Sequence, residues 1–94
     1  MSVYVDPLFV TPRTARWPYP HACHLFADST EELHAFAAKI GLRREWFQES
    51  RRGAFPHYDL TSRKRCEAIA AGAKQLTRFE VGKRILNEAA THST

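Results

Sequence analysis

Leu33, Phe36, Ala37 and Ile40 recur at i, i+3, i+4 and i+7, the spacing of one apolar helix face. Ser29 stands just ahead of this run, with Glu32 three residues on. That pair forms a capping box for the first orphan N–H groups. Gly41 follows, where a left-handed residue stops a helix. The spacing therefore predicts a helix from Glu31 to Ile40. A second helix, Ser62 to Ala71, starts behind Thr61 or Ser62, carries Cys66, Ile69 and Ala70 on one face, and ends at Gly72. A third, Arg78 to Ala90, opens on the capping box Thr77-x-x-Glu80 and presents Gly82, Ile85, Leu86 and Ala89.

Between these lie blocks of a different period. Ser2 to Asp6 and Cys23 to Ala27 are rich in β-branched, aromatic and apolar residues and read as strands. Pro56 makes Phe55 to Leu60 extended, because the residue before a proline is pushed out of α space. Lys74 to Leu76 reads as a short strand or turn. Leu42 to Gly53 fits either a strand at Trp46-Phe47-Gln48 or a helical turn. Residues 7–20 hold four prolines with Trp17 and Tyr19 and read as a wrapping loop. Strands alternating with helices predict one α/β domain over residues 1–94, with a small, mainly parallel sheet and about three helices. Leu33, Phe36, Ile40, Ile69, Ile85 and Leu86 are its expected core, and residues 91–94 a frayed tail.

Composition narrows the picture. Ninety-four residues, 44% of them hydrophobic, suit one globular domain with a thin core, which a homo-oligomer would help to complete. No apolar run approaches the ~20 residues of a membrane span. No basic segment followed by an apolar one marks a signal peptide. Cys23 and Cys66 form no C-x-x-C pair or disulfide framework, so both are expected as reduced thiols in a cytoplasmic protein.

The blocks Val3-Tyr4-Val5-Asp6, Cys23-His24-Leu25 with Ala27-Asp28, Glu31-Glu32-Leu33-His34-x-Phe36-Ala37, Phe47-Gln48, His57-Tyr58-Asp59 and Ala68-x-x-x-Gly72-Ala73 together resemble a family of small bacterial and phage proteins, domain of unknown function 4031. The resemblance covers nearly the whole chain. It implies one shared architecture for these polar blocks and brings no activity with it.

Charge points to a partner. The net charge is +4, and its excess sits in residues 43–65, with seven basic and three acidic side chains. Arg43, Arg44, Arg51, Arg52, Arg63, Lys64 and Arg65, interleaved with Trp46, Phe55 and Tyr58, suit phosphates and stacked bases. Three of these cations open a helix, where they oppose its dipole. The bland alternative is a solvated basic face over core aromatics.

A second constellation suits chemistry. In an extended segment His57 and Asp59 share one face, and a carboxylate beside an imidazole fixes its tautomer and raises its basicity. His24 and Asp28 bracket the second strand, and Asp6 ends the first. A parallel sheet would bring the strand ends to one edge, where such folds hold ligands. His24, Asp28, His57 and Asp59 are thus candidate catalytic residues. Asp6, Asp28 and Asp59 are candidate oxygen ligands for Mg²⁺ or Mn²⁺. Helix capping by Asp28 and Asp59 is the competing explanation. His21, Cys23 and His24 lack the second spaced pair of a structural zinc site, and His34 lies at the edge of its apolar stripe. No Gly-rich phosphate loop or nucleophile elbow is present.

Three functions follow as expectations. The first is binding of nucleic acid or a nucleotide through the basic middle segment. The second is an enzyme acting on a phosphodiester or nucleotide with Asp6, Asp28, His57 and Asp59. The third is a protein-interaction module, such as a phage factor that binds a host protein through the Pro-Trp-Tyr loop.

Overall fold

A computed structural model describes residues 2–49, 56–77 and 79–81. Among them, five strands form one mixed sheet: β1 (Val3–Val5), β2 (Phe9–Val10), β3 (His21–Ala27), β4 (Tyr58–Leu60) and β5 (Lys74–Gln75). The helices are α1 (Thr30–Lys39) and α2 (Ser62–Ala70), with a 3₁₀ turn at Arg44–Trp46. Residues 79–81 are helical and carry the start of the third predicted helix. The rest of that helix, with Ile85 and Leu86, lies outside the described residues, as do Arg51, Arg52, Phe55 and the tail at 91–94.

The seven-residue β3 is the spine. β4 pairs antiparallel with one of its edges, with Cys23 opposite Leu60, His24 opposite Asp59 and Leu25 opposite Tyr58. β1 and β2 share its other edge, both antiparallel. β5 alone runs parallel to its neighbour, β1. The sheet is therefore mixed and mainly antiparallel, which corrects the expectation of a mainly parallel one. The reason is the chain between β1 and β3. A parallel return needs a crossover, usually a helix, over the sheet. Residues 7–20 instead fold back as a hairpin. The N–H of Thr11 donates to the carbonyl of Pro20 (2.9 Å), and Thr14 and Trp17 exchange backbone bonds at 3.0 and 3.2 Å. The proline-rich stretch thus contains β2 and is not one long loop.

Register supplies a further detail. Val5 faces Leu25, but Phe9 faces Ala22, so one extra residue lies on the β1–β2 side. Such an insertion is a β-bulge, which bends the strand and re-aims a side chain. Pro7 has no N–H to give the ladder, and the re-aimed side chain is Asp6.

Both helices cover one face of the sheet. Leu33 and Ala37 of α1 and Ala68 of α2 pack with Val5, Cys23, Leu25, Tyr58 and Leu60 in one core, with Phe36, Ile40 and Ile69 at its margin. The helix ends follow the sequence pattern. The hydroxyl of Ser29 accepts from Glu32 N–H (3.2 Å) and that of Thr61 from Lys64 N–H (3.2 Å). Gly41 and Gly72 take φ of 82° and 111°, the left-handed values that favour glycine after a helix. Thr77 and Glu80 exchange backbone and side-chain bonds at 3.1 and 3.2 Å, a complete capping box. No helix of the described residues is long and apolar enough to cross a membrane.

The two cysteines are free and in opposite settings: Cys23 is buried in the core and Cys66 is exposed on α2. Burial, helped by the charge of Asp6 and opposed by Arg65, pushes the Cys23 thiol up to about 12. The thiolate is the reactive form. At pH 8 the native protein should therefore consume one equivalent of a colorimetric thiol reagent, and two after denaturation. Two fast equivalents from the native chain would contradict the placement of Cys23.

Candidate functional site

The sheet face opposite the helices carries a line of titratable groups. It begins at the bulge. Asp6 is 7% exposed, and both its carboxylate oxygens serve His24. Oδ1 accepts the His24 backbone N–H at 2.6 Å, and Oδ2 lies 2.6 Å from His24 Nδ1. A carboxylate only accepts, so the proton of this bond sits on Nδ1. The other ring nitrogen, Nε2, faces across to β4, where Asp59 Oδ1 is 3.9 Å away.

Asp59 lies opposite His24 in the strand pairing, and His57 lies two residues before it, on the same face by strand alternation. His57 Nε2 is 3.5 Å from the same Asp59 Oδ1. The two imidazoles meet edge to face with centroids 4.7 Å apart. The second oxygen of Asp59 accepts from the Gln48 side-chain amide. Gln48 is held there by a reciprocal backbone bridge to His57, at 2.9 and 3.0 Å. Burial pushes the Asp59 carboxyl up. The hydrogen bond and charge of His57, the Gln48 bond and the charge of His24 outweigh it and hold Asp59 below the usual carboxylate range. The result is one contiguous chain: Asp6, His24, Asp59 and His57, with Gln48 closing its end.

Asp28, expected among these groups, lies elsewhere. It ends β3, and because β1 runs antiparallel to β3 the end of one strand meets the start of the other. Asp28 accordingly accepts from Ser2 N–H (2.9 Å) and from the Tyr4 hydroxyl (3.0 Å). The expected three-carboxylate set of Asp6, Asp28 and Asp59 is therefore not assembled. Gln48 stands in the Phe47-Gln48 block of the sequence but not among the expected site residues, because nothing local signals that residue 48 returns beside residue 57.

The basic segment divides as well. Tyr58 is in the core at 1% exposure, so it offers no ring to a base, contrary to the expectation. Its hydroxyl lies 2.7 Å from His34 Nδ1, and Phe47 packs against both rings. Burial lowers His34 and raises Tyr58. Both shifts favour the neutral pair in which the phenol donates. Lys64 is tied to the Ile40 carbonyl (2.7 Å) and to Glu67 (2.9 Å). Arg65 reaches the Asp6 carbonyl (3.0 Å), behind the site. These bonds account for two of the three cations at the α2 start. Arg43, Arg44 and Arg63 remain on the surface, and Arg43 sits over the Trp46 ring at 5.7 Å.

A groove of about 1280 Å³ opens where β3 begins and β4 runs into α2. Phe9, Trp17 and Tyr19 line it from the hairpin, Trp46 and Gln48 from the far wall, and Thr61, Ser62, Arg63 and Lys64 from the α2 N-terminus, with Arg16 and Asp59 also in its lining. Tyr19 and Trp46 are each about half exposed. Phe9 also packs against His24, at 5.2 Å between centroids. Asp59, Gln48 and Phe9 thus belong to both the groove and the surroundings of the imidazoles.

Comparison with known proteins gave no matching curated protein and no matching solved structure. The sequence profile of a protein family of unknown function, DUF4031, matches residues 3–88. The blocks it spans include every group of the Asp6–His24–Asp59–His57 chain, and on this match the protein belongs to the DUF4031 family.

Proposed function

We propose that the protein binds a nucleotide or single-stranded nucleic acid in the groove and hydrolyses a phosphate ester at its Asp59 end. The observation that carries this reading is the double membership of Asp59, which lines the groove and faces both imidazoles. The groove has the properties of a single-strand site. Aromatic rings on opposing walls give a base a stacking platform, worth about 1–3 kcal/mol per base. Arg16 and Arg63 supply positive charge, and the α2 N-terminus favours phosphate through its free N–H groups and dipole. At the cluster a water oxygen forms a bond to phosphorus, the bond from phosphorus to the leaving oxygen breaks, and the leaving oxygen ends protonated. The proton lost by the water is taken up at the carboxylate–imidazole cluster.

Binding is tested by anisotropy of a labelled single-stranded oligonucleotide across a salt series. Log affinity should fall with log salt by about 0.7 per phosphate contacted. Arg63→Ala should reduce that slope by about 0.7. Trp46→Ala should weaken binding at every salt concentration by roughly 5- to 150-fold, the equivalent of one stacked base. No binding to DNA or RNA strands at low salt would reject the proposal. Binding without turnover of any phosphate ester would leave a non-catalytic module.

A further inference from the structure

His24, His57 and Asp59 each place one ligand atom within 4.8 Å of the other two. We infer that these three residues bind a first-row divalent transition ion of the zinc type. The catalytic consequence rests on the hydrolytic reading above; the binding itself does not. Both Nε2 atoms turn toward one oxygen, Asp59 Oδ1, at 3.9 and 3.5 Å. Three donors held tetrahedrally around an ion at 2.0–2.1 Å stand about 3.4 Å apart. Small side-chain rotations therefore close the set around an ion.

Two features beyond proximity support a cation. The first is the ring orientation of His24. Asp6 occupies Nδ1, so Nε2 is the ring nitrogen left to meet a ligand, and it faces Asp59 Oδ1. The second is the Asp6–His24 bond itself. Metal-binding histidines generally give their other ring N–H to a carboxylate or carbonyl, which orients the ring and strengthens the ligand. Asp6 is buried by the bulge and directs both oxygens to His24. That is the expected outer partner. Asp6 is in this role a positioning residue.

The donor set selects the ion. Two imidazole nitrogens and one carboxylate suit zinc and its first-row neighbours, whereas Mg²⁺ and Ca²⁺ prefer oxygen ligands throughout. Three protein ligands leave a fourth position for water, the layout of catalytic zinc sites. The ion would lower the pKa of that water to about 7. With the ion bound, the imidazoles serve as its ligands and not as proton acceptors, and the bound water loses its proton to solvent instead of to the cluster. The resulting hydroxide forms the new bond to phosphorus as the ester bond breaks, and the leaving oxygen takes a proton from water. Nothing is oxidised or reduced.

The test is calorimetric titration of the chelator-treated full chain with Zn²⁺, repeated with Mg²⁺, and with Co²⁺ followed by visible absorption. One equivalent of Zn²⁺ should bind, Co²⁺ should give the intense bands of a four-coordinate site, and Mg²⁺ should give no binding heat. His57→Ala and Asp59→Asn should each cost more than the ~10- to 100-fold that loss of an outer partner costs. Asp6→Asn should fall within that smaller range and keep the shape of the Co²⁺ spectrum, which a merely unfolded variant would lose. Circular dichroism of each variant separates a lost site from a lost fold. The inference is overturned if the wild type takes up no Zn²⁺, or if folded His57→Ala and Asp59→Asn proteins bind it as tightly as the wild type. Zinc binding without phosphate-ester hydrolysis would retire the hydrolytic reading and keep the metal site. Chelator-resistant hydrolysis by a protein that binds no zinc would do the reverse.

Discussion

His57→Ala is expected to lower phosphate-ester turnover by two to four orders of magnitude, while oligonucleotide affinity stays within about two-fold of wild type. The size follows from what the side chain supplies. A positioned proton acceptor contributes about 10²- to 10⁴-fold, and loss of an ion ligand at the same atom is at least as damaging. The specificity follows from placement. His57 does not line the groove, whereas Asp59 and Gln48 do, so the substrate keeps its walls. The fold should survive, because the His57 contribution to the sheet is its backbone bridge to Gln48, which alanine retains. Loss of the side-chain contact with Asp59 costs about 1 kcal/mol, a few degrees in thermal midpoint for a chain of this size. Steady-state turnover and anisotropy on the same preparation check both halves. Unchanged turnover would remove His57 from the chemistry, and a parallel loss of binding would make it a groove residue instead.

The helices were legible because their signals are local. Ser29, Thr61 and Thr77 cap where the sequence places caps, and Gly41 and Gly72 stop helices with positive φ. The sense of the sheet was not, because it is decided at the hairpin of residues 7–20, where four prolines look like a loop in any sequence window. That one difference relocates Asp28. In a parallel sheet the ends of β1 and β3 would meet, but the antiparallel pairing puts Asp28 beside Ser2. Part of the site was legible because alternation alone aligns His57 with Asp59 on any extended segment. Asp6 stood among the carboxylates of interest as a metal ligand, and the bulge makes it the partner of His24. Only Pro7 announces that bulge. The burial of Tyr58 was hidden for a related reason: His57, Tyr58 and Asp59 are all polar-capable, and nothing local says which strand face the helices cover.

Leu25→Ala is expected to remove about 2–5 kcal/mol of stability. Leu25 has no exposed surface. It sits mid-way along the seven-residue β3, between Val5 of β1 and Tyr58 of β4, and under the Leu33 and Ala37 face of α1. The cavity left by alanine is bounded by strands on two sides and a helix above, so little can collapse into it, and that favours the upper part of the range. A domain of this length has roughly 5–14 kcal/mol in total. The variant should therefore melt some 10–40 °C lower, and where the wild type is near the bottom of that stability range it should be largely unfolded at room temperature. Val10→Ala is the matched control: it removes apolar surface from the same sheet at a side chain 80% exposed, and should shift stability by no more than about 0.5 kcal/mol. Urea unfolding of both variants beside the wild type gives the comparison directly. If Leu25→Ala costs no more than Val10→Ala, β3 is not the centre of this sheet, and the placement of His24 opposite Asp59 falls with it, since both depend on the same register.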